Sequence, residues 1–365
     1  MPTISLCMIV KNEEEVLEQC LNSVNKACDE IVIVDTGSTD LTKKIARKFT
    51  NNIFDFEWID DFAAARNFAF SKATKDYILW LDADDILLQE DLEALIKLKS
   101  EINQNIDAVS MNYILEFDDH GNPSFFFRRN RLVKRNNHFK WIGSVHEYLE
   151  VGGNIYPAEI SIIHKKCEKS IHTKVEGRNL RIYENRLRKG EVFTPRDLYY
   201  YANELKDHGK NKKALTYYQK FLNTKKGWVE DNIRACQNMA YLYGVLGDDE
   251  QETEALLKSF SYDMPRPEIC CSLADKFKEK KDYHTAVFWY TTAYQFNKET
   301  NGFQNGAYST WYPHLQLCFC HWELGNVEKS IEHNNFAKKY RPDDPSVKFN
   351  EDFFKTLQNK DDNNP

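Results

Sequence analysis

Long apolar runs are missing from this chain. Nowhere do ~18 apolar residues follow one another, the length needed to cross a bilayer. The opening "MPTISLCMIVKNEEE" has an apolar stretch too short for a signal peptide and lacks a basic leader. Neither a membrane span nor translocation is expected, and the expected location is the cytoplasm. Any CxxC pair is missing too. The nine cysteines are an odd number, scattered as singles plus Cys270-Cys271 and Cys318-Phe319-Cys320. That excludes a disulfide framework and a zinc ribbon and predicts reduced thiols. Basic excess is also absent, with 49 Lys+Arg against 56 Asp+Glu for a net charge of −7. Residues 1–165 hold 18 basic against 27 acidic side chains. Such an acidic half argues against nucleic acid as its main ligand and suits a site that recruits cations. At 365 residues, two domains are expected.

What is present first is an alternation of strand and helix patterns. "TISLCMIV", "EIVIVD", "NIFDFEW" and "DYILWL" read as strands. Between them stand "EEEVLEQCLNSV", "STDLTKKIARKF" and "DFAAARNFAFSKA", each with helical spacing or capping residues at its start. Continuous apolar strands alternating with helices predict a mostly parallel sheet covered on both faces. Such sheets bind ligands at the carboxyl ends of their strands. Three polar clusters fall there: Lys11-Asn12, Asp35, and the aspartates of "DYILWLDADD". Residues 107–165 break into shorter β-like runs and read as an antiparallel extension, completing a domain over 1–165. Residues 166–194 read as a connecting helix.

From residue 195 strands disappear. Ala202, Ala240 and Ala274 take matching places, followed by turn positions Gly209, Gly247 and Lys281; a further copy has Cys318, Gly325, Ser330, Ala337 and Pro342. The 34-residue interval from Ala240 to Ala274 resembles tetratricopeptide repeats. An irregular helical bundle is the other reading, and both give an all-α domain over 195–357. A disordered tail is expected over 358–365.

Asp82, Asp84 and Asp85 repel one another unless something positive joins them. On an extended backbone Asp82 and Asp84 face one side and Asp85 the other. Two carboxylates converging on one point suit Mg²⁺ or Mn²⁺ completed by a substrate diphosphate. The alternative is an Asp-rich helix cap.

Taken in order, "MIVKNEE", "VDTGSTD", "DFAAARN" and "LWLDADD" together resemble glycosyltransferase family 2, the inverting nucleotide-sugar transferases with the GT-A fold. The resemblance covers roughly residues 3–165. It is closest to bacterial-type members whose catalytic domain precedes tetratricopeptide repeats, a group that sublancin-type peptide S-glycosyltransferases also resemble. It implies that Asp35 hydrogen-bonds a uracil ring, that Arg66 helps hold the nucleotide, and that backbone near Val10 and Lys11 lines the base pocket. Asp82 and Asp84 match the D-x-D signature for metal and sugar diphosphate. Read from the residues alone, Asp35 is equally a turn former and Asp40 a helix cap, whereas Arg66 in an apolar helix needs an anionic partner.

Inverting transfer needs a base for the acceptor's proton. Glu147 in "KWIGSVHEYLEV" lies 65 residues after Asp82, about where family members place that carboxylate. His146 is a candidate for binding acceptor or phosphate. On a strand the two point oppositely. His164, at the end of "ISIIH", is either structural or a metal ligand like the late histidine of some GT-A enzymes. The basic run "RRNRLVKR" at 128–135 suits the acceptor side or phosphate better than nucleic acid.

The expected protein is therefore a metal-dependent transferase of single sugars from a UDP-sugar. Its acceptor is a glycan, a lipid-linked sugar or a peptide, recruited by repeats that permit a homodimer without requiring one. A Q-x-x-R-W motif of processive synthases is absent. A nucleotidyltransferase is excluded because "IVKNEEE" holds no glycine for a phosphate loop. The alternative is a non-catalytic scaffold with a vestigial nucleotide-sugar domain.

Overall fold

The computed structural model describes residues 1–117, 121, 123–165, 177–295 and 304–361. Its chain divides into two compact units, Met1–Glu204 and Leu205–Pro365. Of the connector expected over 166–194, residues 166–176 lie outside the described ones, as do 362–365 of the expected tail.

The first unit follows the alternation of the sequence: β1 (Ile4–Val10), α1 (Leu17–Val24), β2 (Glu30–Asp35), α2 (Thr42–Ala46), β3 (Ile53–Asp55), α3 (Phe62–Lys72) and β4 (Tyr77–Trp80). Then come β5 (Asp85–Ile86), α4 (Gln89–Glu101), β6 (Ala108–Phe117), β7 (Pro123–Lys134), β8 (Lys140–Ile142), β9 (Tyr148–Glu150), β10 (Ile155–His164) and α5 (Arg178–Arg188). Along the main sheet the order is β3-β2-β1-β4-β7-β6-β10-β5. Pairing is parallel except that β7 runs against β4 and β6, and β5 against β10. The expected antiparallel extension is thus half right. Strands β6 and β7 pair as a long antiparallel ladder, but β10 joins β6 in parallel, so its end returns to the edge where β1, β2 and β4 end.

Period two explains why β1 is apolar at every position but Ser5. Leu6, Met8 and Val10 pack with Leu17, Leu21 and Val24 of α1 and with Leu92 and Leu95 of α4. Cys7, one step out of phase, packs with Val32, Val34 and Ala69 on the other face. Both faces of a central strand are therefore core, and each large side chain buried there contributes ~1.5–3 kcal/mol.

Among the described residues of the second unit, every element of ten residues or more is helical. After α6 (Pro195–Asp207), within which the division falls, come α7 (Asn211–Asn223), α8 (Val229–Leu246), α9 (Asp249–Lys258), α10 (Pro267–Glu279), α11 (Tyr283–Gln295), α12 (Trp311–Glu323), α13 (Val327–Tyr340) and α14 (Pro345–Asp361). Helices pack as consecutive hairpins, α8 on α9, α10 on α11, α12 on α13. Ala274, Ala286, Ala293 and Cys320 are buried where helices meet, small enough to let backbones approach. The repeat's turn positions share one conformation: φ is +77° at Gly247 and +61° at Lys281. Only glycine takes that left-handed region without cost, so Lys281 carries a strain that its counterpart avoids. Among the described residues the cysteines are free thiols, and no helix is long and apolar enough to cross a membrane.

Candidate active site

Two loops meet at the carboxyl ends of β1 and β2. Asn12, in the left-handed region at φ +55°, donates its backbone N–H to Ser38 Oγ at 2.9 Å and accepts at Oδ1 from Thr39 N–H at 2.8 Å. Glu13 N–H donates to Thr42 Oγ1 at 2.7 Å, and Leu41 N–H to Glu14 Oε2 at 2.9 Å. This lacing fixes the floor beside Asp35. Asp35 is buried; its Oδ2 accepts from Gly37 and Ser38 N–H at 3.1 and 3.0 Å, with Lys43 Nζ 3.5 Å away. It is thus a turn former, yet its Oδ1 is buried with no partner among the described residues. Asp40 accepts from Thr42 N–H at 3.0 Å, a capping contact at the start of α2. Val10 is buried with its carbonyl taken by Thr36, and Lys11 is exposed.

The aspartates after β4 do not stay extended. Asp85 N–H donates to the Asp82 carbonyl at 3.1 Å, and Asp82 N–H donates back to Asp85 Oδ2 at 2.9 Å. A turn closed in both directions cancels strand alternation, so the expectation that Asp82 and Asp84 share a side while Asp85 faces away is corrected. Ligand atoms of Asp84, Asp85 and His164 lie within 4.8 Å of one another, a group without Asp82. Strand register causes this: β5 pairs Asp85 with His164, and Lys165 N–H donates to the Asp84 carbonyl at 2.8 Å. His164 Nδ1 stands 3.4 Å from Asp84 Oδ1 and 4.0 Å from Asp85 Oδ1. His164 Nδ1 and Asp85 Oδ1 are both buried without a hydrogen bond among the described residues. One carboxylate oxygen and one imidazole nitrogen in that state, with an Asp84 oxygen beside them, fit a divalent cation such as Mg²⁺ or Mn²⁺.

Asp85 also faces an arginine. Arg131 Nη1 is 2.8 Å from Asp85 Oδ2, with both side chains fully buried. Burial pushes the Asp85 carboxyl up, the Arg131 charge opposes this, and Asp82 adds to the rise. Asp82 instead belongs to Arg66. Arg66 Nη2 donates to Asp82 Oδ1 at 2.6 Å while Nε donates to Glu147 Oε1 at 2.7 Å. The guanidinium carbon is 4.7 Å from the Trp141 ring centre and 5.2 Å from that of Trp80. Burial pushes Asp82 up, but Arg66, then Arg131 and Arg129, pull it down harder and leave it below the usual carboxylate range. Arg66 therefore has the anionic partner its apolar helix demanded, and it joins the metal-side turn to Glu147.

Glu147 and His146 do not lie on a strand. They occupy the bend between β8 and β9, with His146 at φ +51°. His146 Nε2 lies 2.8 Å from Glu204 Oε1, its ring stacks on Tyr200 at 4.4 Å, and its carbonyl accepts from Arg196 at 3.0 Å. His146 is thereby committed to α6, while Glu147 turns to Arg66.

Glu13 was not singled out from the sequence, and Arg129 and Arg131 were only as members of the basic run 128–135. Glu13 is pushed up to about 7, by burial first and then by the charges of Asp84, Asp82 and Asp40, so a fourth acid belongs to the cluster. Three consecutive glutamates hid it. Arg129 and Arg131 both lie over the Tyr113 and Trp80 rings, brought together by a bulge of β7 at Arg131 that alternation within "RRNR" does not signal.

Residues 5–147 match the family model for glycosyl transferase family 2, a span from β1 to the carboxylate that Arg66 holds. Over that span the chain is similar to family 2 glycosyltransferase domains. A TPR repeat-containing protein of Synechococcus elongatus is 38% identical over 150 residues, 41% of this chain and 36% of that protein. The SPbeta prophage-derived glycosyltransferase SunS of Bacillus subtilis is 30% identical over 235 residues, 62% of this chain and 54% of that protein. The chain thus matches about a third of one relative's length and about half of the other's. Among solved structures, glucosyl-3-phosphoglycerate synthase from Mycobacterium tuberculosis in complex with Mn²⁺ and UDP-glucose superposes with a TM-score of 0.35. It is 13% identical, covering 53% of this chain and 81% of that one.

Proposed function

We propose that this chain is a divalent-metal-dependent, inverting glycosyltransferase that moves one sugar from a nucleotide-sugar, UDP-sugars first among them, to a glycan, lipid-linked or peptide acceptor. The observation that carries this is the grouping of Asp84, Asp85 and His164, in which Asp85 Oδ1 and His164 Nδ1 are buried without a hydrogen bond among the described residues while His164 Nδ1 stands 3.4 Å from Asp84 Oδ1, beside the Asp82–Arg66–Glu147 bridge. Asp84, Asp85 and His164 would hold Mg²⁺ or Mn²⁺. Such an ion neutralises charge on the departing diphosphate. Asp82, expected as a metal ligand, is assigned to orienting Arg66.

Asp35 Oδ1, buried without a hydrogen bond among the described residues, would accept from an N–H of the nucleotide base, with the backbone of Val10 and Lys11 lining the same pocket. Arg66 fixes Glu147 through one carboxylate oxygen. The other oxygen takes the proton from the acceptor's O–H or S–H as that atom bonds to the anomeric carbon. The bond from sugar to phosphate breaks on the opposite face, its electron pair leaves with the nucleoside diphosphate, and the anomeric centre inverts. The helical unit suits acceptor recruitment, and a cytoplasmic location remains part of the reading.

The test is a thermal-unfolding panel of UDP-, GDP- and dTDP-sugars with and without Mn²⁺, followed by turnover of the best donor. One nucleotide with Mn²⁺ at 100 times its Kd stabilises the native state by ~2.7 kcal/mol, roughly 5–10 °C for a unit of this size. Asp84→Asn is expected to remove that shift and the turnover while leaving the unliganded midpoint within ~2 °C, since one charge leaves a mutually repelling cluster. A flat panel would favour the scaffold reading.

A further inference from the structure

The arginines of β7 and the acid turn can be paired off one by one. Arg66 has Asp82 and Glu147, Arg131 has Asp85, and Arg128 on the opposite face of β7 has Glu159 at 3.2 Å and the Ala158 carbonyl at 2.6 Å. Arg129 has neither a carboxylate nor a hydrogen-bond acceptor among the described residues. Rings hold it instead: its guanidinium carbon lies 5.1 Å from the ring centre of Tyr113, 5.2 Å from Phe127 and 5.4 Å from Trp80. Arg131, although paired with Asp85, also keeps Nε and Nη2 buried without a hydrogen bond among the described residues, so Arg129 differs from it in having no acidic partner at all, and burial together with the neighbouring Arg131 charge disfavours its cationic form.

Its surroundings suit an incoming anion. Alternation puts Phe127 and Arg129 on one face of β7; Arg131, at the bulge that follows, reaches the same Tyr113 and Trp80 rings, and Arg129 is close enough to Asp82 to help depress its carboxyl. The Tyr113 ring that holds Arg129 also packs edge-on against His164, with centres 6.1 Å apart. A cation held by rings thus lies across one aromatic side chain from the Asp84–Asp85–His164 group. A planar fork with free donors beside a divalent-ion site matches phosphate oxygens.

We propose that Arg129 is an anion-binding residue of this site and grips the terminal phosphate of the bound nucleoside diphosphate. This rests on the nucleotide-sugar reading above. The contrary source for the same chemistry is an acidic group on the acceptor.

The experiment measures binding of UDP, UMP and uridine by calorimetry in the presence of Mn²⁺, for the unsubstituted protein, Arg129→Met and Arg129→Lys. Arg129→Met keeps the stem against Tyr113, Phe127 and Trp80 and removes only the fork. The expected result is about 10- to 100-fold weaker UDP binding in Arg129→Met, a smaller loss in Arg129→Lys, and UMP and uridine unchanged. Unchanged UDP affinity overturns the proposal and leaves an acidic group of the acceptor as the remaining anion. Equal losses for UDP, UMP and uridine overturn it as well, because they indicate a damaged pocket. If the unsubstituted protein binds none of UDP, GDP or dTDP, the nucleotide-sugar reading itself falls; if it binds and the variant binds equally, only the role of Arg129 falls.

Discussion

Replacing Arg66 by methionine is the sharpest single perturbation of this site. The side chain is 10% exposed and donates to two carboxylates, Asp82 at 28% and Glu147 at 13% exposure, between the indoles of Trp80 and Trp141. Removing one partner of a buried pair costs ~3–5 kcal/mol, because the partner's charge is stranded. Water reaches Asp82 more easily than Glu147, so the lower end, about 3 kcal/mol, is expected. That corresponds to a fall of roughly 6–12 °C in the unfolding midpoint of the first unit. The sign of the pH dependence follows from Asp82. Its folded pKa lies below the ordinary 3.8, so its stabilising contribution is fully present above that value and is lost as pH falls below it. Scanning calorimetry of both proteins should therefore show a constant gap from pH 8 to pH 5 that narrows below about pH 4. A gap under 2 °C at neutral pH, or one that shrinks between pH 8 and pH 5, would refute the assignment of Arg66 as the clamp between the two acids.

The helical unit carries its own pH response. His314 Nδ1 and His333 Nδ1 lie 2.9 Å apart in the core, a contact that needs one donor and one acceptor, and burial foremost lowers both to about 4 from 6.5. Stability of that unit is expected to be complete above pH 6.5 and to decline toward pH 4. His333→Phe should flatten the decline, read as midpoint against pH by circular dichroism. Lys281→Gly should raise the midpoint by the equivalent of ~1 kcal/mol by relieving a left-handed residue, whereas Gly247→Ala should lower it by about as much; equal shifts of one sign would contradict the turn geometry. Asp35→Asn should weaken nucleotide binding about 10-fold or more by placing an amide where an acceptor is wanted, with the unliganded midpoint nearly unchanged.

Much of the architecture was legible in the residues. Buried central strands such as "ISLCMIV" and "YILW" read as unbroken apolar runs because helices cover both faces. The turn positions Gly247 and Lys281 kept their 34-residue spacing, since a helix hairpin repeats only if its end does. Arg66 announced itself as a cation in an apolar helix, and its partner had to be acidic. By contrast, the division of labour among three adjacent aspartates was not legible. One backbone bond, Asp85 N–H to the Asp82 carbonyl, converts an extended segment into a turn and reverses which carboxylates share a side.

The amino-acid order alone determined where strands and helices form and which loops collect at the sheet's carboxyl edge, because those depend on apolar period, caps and turns within a dozen residues. Which carboxylate meets which cation was decided only by the fold. His164 opposes Asp85 through the register of β5 on β10, Arg66 reaches Glu147 across 81 positions, and Arg129 is held among the rings of Trp80, Tyr113 and Phe127 by its place on β7. Those pairings depend on strand order and register, which local pattern does not encode.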